Sequence, residues 1–349
     1  MFDDHSKAFI VSALRTYLTL FKLNIFFLYT IFKELPNFLP TAFNFFRNDA
    51  AVLKARIFAK KETGANVECL LLTPVENNIW TCMLRPAKRL KNGAKFAVEN
   101  AFEAEVLQHL DNGNCIVNFS LAPQYNNVVE MSEQIGVVPL PPYIRRNQNS
   151  QDYDRTFDNQ RYETVYANPQ HRVAAAAPTA GLHFTDELIS QLETDKHDFY
   201  NLTLHVGIGT FQPLKTDVVE QHTMHSELYE IPTKTLKALA DTSKPHLAVG
   251  TTSLRALEDF SRKNVGRKID TSKPVIDSAS LFVYPPQRVI SADAMITNFH
   301  LPRSTLMCLV ATFLSPESES GIETLKEIYK VAIDNKYNFY SYGDAMLIL

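Results

Sequence analysis

The residues of this chain best suited to chemistry occur in four short segments of its second half. Each combines glycine or proline with histidine, arginine or hydroxyl side chains, and the segments are 178–185, 204–211, 249–255 and 297–304. Glycine supplies only 11 of 349 residues, so its presence in three segments indicates a local backbone requirement. Most of these segments adjoin predicted strands. In an open α/β sheet such segments meet at the carboxyl ends of strands, where ligands bind, so the sequence predicts one shared site.

Three histidines of these segments, His183, His205 and His300, are candidates for proton transfer because imidazole titrates near neutral pH. Histidines in one domain could instead supply zinc ligands, and His222 and His225 have helical spacing. The chain lacks an HExxH sequence, however, and no acidic residue adjoins His183 or His205. We predict no metal site, and a His-rich metallohydrolase stays as the alternative.

Hydroxyl and glycine residues suggest where an anion could bind. Thr251, Thr252 and Ser253 follow a predicted strand and open a helix, whose free N–H groups suit a carboxylate or a phosphate. Ordinary capping of that helix by Thr252 or Ser253 explains the same residues equally well. Gly207 and Gly209 let the backbone pass close to a ligand, but no helix follows them, so they are not a dinucleotide fingerprint.

The pattern of apolar segments predicts two kinds of structure. Between residues 58 and 138, five short strands separated by turn signals predict a small antiparallel β-barrel. Residues 1–57 and 139–349 alternate helical and strand patterns instead. We therefore predict an α/β fold: a large α/β domain with a parallel-rich sheet, and an antiparallel β-barrel domain inserted at 58–138.

Composition indicates a globular, cytoplasmic protein. Hydrophobic residues make up 45% and charged residues 21%, and the net charge of −3 argues against a wholly basic nucleic-acid binder. Four cysteines without a CxxC pair are typical of reduced thiols. The apolar stretch 8–33 is interrupted by Arg15 and Lys22, and a bilayer requires about 20 apolar residues. We predict a buried strand there rather than a membrane anchor.

Basic residues cluster near the predicted barrel. A cluster of this kind is usually a solvated surface, but several beside one β domain favour contacts with a phosphate backbone. The candidates for RNA binding are Arg85, Lys88, Arg89, Arg145 and Arg146.

Taken together, these segments resemble one family, the S-adenosylmethionine:tRNA ribosyltransferase-isomerases of queuosine biosynthesis. The matching segments follow the family's order from about residue 32 to the end of the chain. They are 48–49, 54–56, 61–64, 85–90, 139–144, 162–166, 177–185, 204–211, 222–227, 249–253, 297–302 and 340–346. The N-terminus departs from the family pattern, because residues 12–31 do not match it.

The resemblance implies a reaction. The ribosyl part of S-adenosylmethionine moves to the aminomethyl group of a 7-deazaguanine at the wobble position of tRNA and is rearranged, giving epoxyqueuosine, adenine and methionine. The substrates would be S-adenosylmethionine and this tRNA, with no metal. A base must remove a proton beside the sulfonium at C5′, and an acid must protonate the departing adenine. The family combines a large α/β domain with a small β-barrel, in agreement with the domains predicted above.

On this basis we assign roles to the candidate residues. The pocket would be lined by His183, His205 and His300, with one of them acting as general acid or base; Glu227 and Asp344 are further proton carriers. Binding of S-adenosylmethionine is expected at Gly181, Gly207, Gly209, Thr251, Thr252, Ser253 and Asp344. A catalytically silent tRNA-binding relative is the remaining alternative. We expect a monomer or weak oligomer with no membrane partner.

Overall fold

The computed structural model describes residues 7–13, 25–141, 143–144, 155–206, 218–222, 224 and 226–349. The chain divides into two compact units. The first comprises residues 1–51, 163–171 and 177–349, and the second comprises 52–162 and 172–176. The second unit contains the segment 58–138 that we expect to form a barrel.

Strands and helices are numbered in chain order within the described residues. The strands are β1 (Lys7–Ala13), β2 (Ile25–Ile31), β3 (Asn44–Asn48), β4 (Ala50–Val52), β5 (Arg56–Lys60), β6 (Asn66–Glu76), β7 (Ile79–Arg85), β8 (Lys95–Val98), β9 (Phe102–His109), β10 (Cys115–Leu121), β11 (Asn168–Ala174), β12 (Asp198–Leu204), β13 (Glu227–Ile231), β14 (His246–Val249), β15 (Val275–Ala279), β16 (Ala294–Asn298) and β17 (Ala345–Ile348). The α-helices are α1 (Val128–Ile135), α2 (Arg155–Arg161), α3 (Asp186–Thr194), α4 (Thr233–Ala240), α5 (Gly250–Lys263), α6 (Thr305–Leu314) and α7 (Gly321–Asp334). Short 3-10 helices are Phe32–Phe38, Ala87–Arg89, Thr179–His183 and Val219–Gln221.

A nine-stranded mixed sheet organises the described part of the first unit, in the order β15-β13-β12-β3-β14-β16-β17-β1-β2. Its centre is parallel: β12 pairs with β3, β3 with β14, and β14 with β16. On the two sides of this centre, β13 runs antiparallel to β12 and β17 antiparallel to β16. Consequently the carboxyl ends of the four central strands lie at one edge, where β13 and β17 begin.

The central strands bury apolar side chains, as expected where both faces of a parallel sheet are covered. All five residues of β16 are buried, and Phe45 of β3 is fully buried. Phe45, Leu247 and Ile296 share one core cluster with Leu188 and Leu192 of α3. Thr185 caps α3, since its side chain accepts a hydrogen bond from the Leu188 N–H at 3.2 Å.

The second unit contains a closed barrel with the strand order β10-β7-β6-β5-β8-β9. Buried and more exposed residues alternate along its strands. In β7, for example, Trp80, Cys82 and Leu84 are buried and their neighbours in the strand are more exposed. The predicted α/β class with an antiparallel barrel is confirmed. The barrel has six strands rather than the five predicted, because the exposed Phe58 of the short strand β5 interrupts the alternation of apolar and polar residues in its sequence.

The remaining described segments complete the fold. Strands β4 and β11 form a two-stranded sheet. Strands β1 and β2 pair antiparallel at one side of the large sheet, and residues 14–24 of the apolar N-terminal stretch lie outside the described residues. No helix within the described ranges is long and apolar enough to cross a bilayer. All four cysteines are buried and outside disulfides.

Candidate active site

Asn298 is buried at the carboxyl end of β16, and its side chain connects segment 297–304 to segment 178–185. Its amide oxygen accepts a hydrogen bond from Thr179 Oγ1 at 3.0 Å, and its amide nitrogen lies 3.2 Å from His183 Nε2. The Gly343 carbonyl, 3.5 Å from the same nitrogen, favours this orientation of the amide. Because the amide nitrogen only donates, His183 Nε2 accepts, and the proton of the neutral ring is on Nδ1.

His183 and His300 are both neutral at pH 7. His183 is buried against the ring of Phe32, with ring centroids 5.1 Å apart, and burial lowers its pKa to about 4. His300 Nε2 lies 2.8 Å from Thr297 Oγ1, and burial likewise lowers the pKa of His300 to about 4. These rings therefore offer hydrogen bonds of fixed direction rather than a positive charge.

His205 directly follows β12 and is half-buried. Its backbone N–H donates to the Leu228 carbonyl at 2.9 Å, which fixes the start of the next segment. Burial lowers the pKa of His205, and the positive charge of a protonated His171 would lower it further, against the opposing effect of Glu230. Gly207, Gly209 and His225 lie outside the described residues.

The start of α5 brings a third segment to the same edge. Gly250 has φ of +87°, a conformation that other residues rarely adopt, and a β-carbon there would lie 3.5 Å from Ala180 Cβ. No described side chain caps α5. The hydroxyl of Ser253, one of the two capping candidates, donates instead to the Val249 carbonyl at 2.7 Å. Thr252 Oγ1 is buried without a hydrogen bond to any residue that the structure describes. Of the two possible capping hydroxyls, that of Ser253 is engaged by the backbone, and binding of S-adenosylmethionine by Thr252 stays a prediction.

The two acidic candidates, Glu227 and Asp344, each make a polar contact with a neighbouring residue. Glu227 is buried at the start of β13 and pairs with Arg255, whose Nη1 lies 2.6 Å from Glu227 Oε2. Arg255 also donates to the Ala279 carbonyl at 3.0 Å. Asp344 precedes β17 and accepts a hydrogen bond from the Asn338 N–H at 2.6 Å. Both carboxylates therefore carry structural contacts, and their roles in proton transfer or substrate binding stay predictions.

Gly181 lies in the 3-10 helix next to His183, where a protein side chain approaches it closely. A β-carbon at this position would overlap the hydroxyl of Tyr166 and lie 2.9 Å from Thr164 Cγ2. The Tyr166 ring is in turn covered by the guanidinium of Arg47, 4.2 Å from its centroid. The glycine is therefore required by Tyr166, and its expected contact with S-adenosylmethionine stays a prediction.

The structure adds three residues that the sequence analysis missed. Asp49, Thr203 and His171 form one cluster at the carboxyl ends of β3 and β12, with Thr203 Oγ1 2.7 Å from Asp49 Oδ1. Asp49 directly follows β3 in a pair, Asn48-Asp49, that belongs to the family-like segments. The position of Asp49 directly after a buried strand was the signal in the sequence that could have identified it as a site residue.

The basic candidates belong to the second unit. Arg85 ends β7, Lys88 and Arg89 lie in the following 3-10 helix, and all three are exposed. Arg85 lies 4.0 Å from Glu68, a contact too long and too exposed to neutralise it. Lys61 Nζ donates to the Arg89 carbonyl at 3.0 Å, which adds a fourth cation to this surface. Arg145 and Arg146 lie outside the described residues.

Comparison with known proteins identifies the family. The family model described as "Queuosine biosynthesis protein" matches residues 24–348. This chain belongs to that family.

Named relatives extend the match along the chain. The S-adenosylmethionine:tRNA ribosyltransferase-isomerase of Thermotoga maritima is 39% identical over 322 residues, covering 91% of this chain and 88% of the relative. The Staphylococcus aureus protein of the same name is 41% identical over 324 residues, with the same coverage. A crystal structure of S-adenosylmethionine tRNA ribosyltransferase from Thermotoga maritima aligns with a TM-score of 0.48 at 28% identity, covering 99% of this chain and 93% of that chain.

Burial of His183 makes the stability of this queuosine-family protein depend on pH. Its pKa is about 4 in the folded chain and 6.5 as the ordinary value, so between these pH values the unfolded chain binds the extra proton. The free energy of unfolding therefore falls as the pH decreases from 7 to 5, by about 2 kcal/mol for His183. His183→Gln, which keeps an acceptor for Asn298 but does not titrate, should lose correspondingly less in urea denaturation. An equal loss in both proteins would contradict this.

The packing of Tyr166 on Gly181 gives a second expectation. Gly181→Ala should lower the free energy of unfolding by about 1–3 kcal/mol, because the added methyl group must displace the partly buried ring of Tyr166. Tyr166→Phe in the same chain should restore part of this loss by removing the overlapping hydroxyl. A double-mutant cycle by urea denaturation measures the coupling. Strictly additive effects would show that the two residues do not compete for this space.

Proposed function

We propose that this chain transfers and isomerises the ribosyl moiety of S-adenosylmethionine onto 7-aminomethyl-7-deazaguanine at the wobble position of tRNA. The products are epoxyqueuosine-tRNA, adenine and methionine. The observation that carries the proposal is that relatives 39% and 41% identical, aligned over 91% of this chain, bear the name of this activity. S-adenosylmethionine is then a ribosyl-donor substrate, and the protein acts in the cytoplasm, where tRNA is modified.

The geometry supports a division of labour between substrate and protein. The sulfonium group of S-adenosylmethionine activates the ribose, so the protein has to position the reactants and move protons. The neutral rings of His183 and His300 would orient polar atoms of the substrate by hydrogen bonds. The uncapped start of α5, with the hydroxyl of Thr252, would hold an anionic group such as the methionine carboxylate.

Two alternatives have less support. In the described part of the chain, no group of three or more His, Cys, Asp or Glu side chains is arranged to hold a metal ion, so nothing there favours a His-rich metallohydrolase. A catalytically silent tRNA-binding relative would share the exposed cations of the second unit. Turnover of S-adenosylmethionine would distinguish an enzyme from this silent relative. A monomer or weak oligomer is compatible with both.

Incubation with S-adenosylmethionine and precursor tRNA should release adenine. We expect His183→Ala, His205→Ala and His300→Ala each to lower kcat by about 10²-fold, the low end of the range for groups that hold or move protons. His246→Ala is the control, because His246 begins β14 at the opposite edge of the sheet. If the wild-type chain releases no adenine, the protein is the catalytically silent tRNA-binding relative rather than the enzyme. Near-full activity in all three variants would remove these histidines from the mechanism.

The exposed cations of the second unit should contact tRNA phosphates. Arg85→Ala and Lys88→Ala are each expected to weaken tRNA binding and to reduce the slope of log affinity against log salt by about 1, since each removes one phosphate contact. Affinity for S-adenosylmethionine should not change. Lys326→Ala, which removes an exposed cation of α7, serves as the control. Unchanged tRNA affinity at both low and high salt would refute the contact.

A further inference from the structure

Asp49, Thr203 and His171 form a hydrogen-bonded cluster within the first unit. Asp49 is 5% exposed and Thr203 is 2% exposed, whereas the side chain of His171 is 31% exposed. Thr203 Oγ1 lies 2.7 Å from Asp49 Oδ1 and 2.8 Å from His171 Nδ1. The Asp49 carbonyl also accepts a hydrogen bond from the Asn168 N–H at 2.8 Å, which holds the start of β11 beside Asp49.

Counting protons assigns the direction of these hydrogen bonds. The Thr203 hydroxyl has one proton and two neighbours, and the ionised carboxylate of Asp49 only accepts. The hydroxyl therefore donates to Asp49, and its oxygen accepts from His171 Nδ1. The side-chain amide nitrogen of Asn168 lies 3.3 Å from His171 Nδ1, farther than Thr203 Oγ1. The neutral His171 ring thus carries its proton on Nδ1 and a lone pair on Nε2.

The Nε2 atom of His171 is available for chemistry. It makes no hydrogen bond to any residue within the described ranges, and the side chain is one-third exposed. A proton taken up at Nε2 would make the ring positive, and the Asp49 carboxylate, whose Oδ1 lies 3.5 Å from Nδ1, would stabilise that charge. His205 also interacts electrostatically with this ring, and Glu230 acts on His205 in the opposite sense. An ordered carboxylate that fixes a histidine tautomer is the arrangement that prepares a histidine to accept a proton.

His183 and His300 are poorly suited to accept a proton near neutral pH. A general base works best when its pKa lies near the working pH. Burial brings the pKa of His183 and His300 to about 4, so protonating either ring near pH 7 is unfavourable. The side chain of His171 is instead 31% exposed, and the buried Asp49 carboxylate lies beside its ring.

We propose that His171 Nε2 is a base of the ribosyl transfer, and that Asp49 and Thr203 are positioning residues that hold its tautomer. The proposal rests on the proposed function. In the step, a C–H bond on the carbon next to the sulfonium of S-adenosylmethionine breaks and an N–H bond forms at Nε2. The electron pair stays on carbon beside the positive sulfur. The proton stays on the imidazolium, where Asp49 balances its charge.

Kinetics with S-adenosylmethionine and precursor tRNA test the roles. His171→Gln and Asp49→Asn should each lower kcat for adenine release by about 10²–10⁴-fold, with KM for S-adenosylmethionine changed less than about threefold. Thr203→Val and Thr203→Ser are a matched pair: the first removes the hydroxyl and should lower kcat about tenfold or more, and the second keeps it and should stay near wild type. His246→Gln at the opposite sheet edge is the control.

Two readouts exclude a merely structural role. In the wild type, kcat should fall on the acid side as the base becomes protonated, and this fall should be absent from the residual activity of His171→Gln. Nitrogen-15 NMR of labelled histidine should show His171 protonated on Nδ1 in the wild type and in Thr203→Ser. In Asp49→Asn and Thr203→Val the proportion of that tautomer should decrease.

The outcomes separate this proposal from the one on which it rests. A wild-type chain that releases no adenine overturns the proposed function and with it the role of His171 as base, while NMR still tests the tautomer. An active wild type with His171→Gln within about threefold of it overturns the base role alone. A wild-type His171 protonated on Nε2 overturns the positioning by Asp49 and Thr203.

Discussion

The parallel register of β12, β3, β14 and β16 is the constraint on which the candidate site depends. Leu202 lies opposite Asn48 and Val249 opposite Arg47, so the central strands end at nearly the same level. Segments that are far apart in the chain then meet at one edge, as they do at the switch points of open α/β sheets. Without this register, Asn298 could not reach both Thr179 and His183, and α5 would not begin beside Ala180.

Burial at this edge sorts the histidines into two kinds. Desolvation keeps His183 and His300 neutral, and each is oriented by a hydrogen bond to a residue of β16. The side chain of His171 is instead about one-third exposed, and the buried carboxylate of Asp49 lies beside its ring. Such a division suits a reaction in which the substrate supplies the activation, because some groups must position and at least one must exchange a proton.

Much of the fold follows from local pattern, and much of the site does not. Strands near 246–249 and 294–297 and the helices that follow them were predictable because buried strands and amphipathic helices have distinct periods. The barrel was predictable from alternation and turns, apart from β5. In contrast, Thr203 and Asp49 are 154 residues apart, and nothing in either segment reveals their hydrogen bond. The arginine that neutralises Glu227 was likewise invisible, as was the tyrosine that explains Gly181.

The sequence by itself determined the class of fold, the composition of the four loop segments and the family to which they point. These depend on residue type, period and order along the chain, which are local properties. The tertiary structure decided which nitrogen of each histidine faces its partner, which hydroxyls are already engaged and which carboxylate stands behind which ring. Those features depend on distances of about 3 Å between side chains brought together by strand pairing, and on the loss of water at the sheet edge.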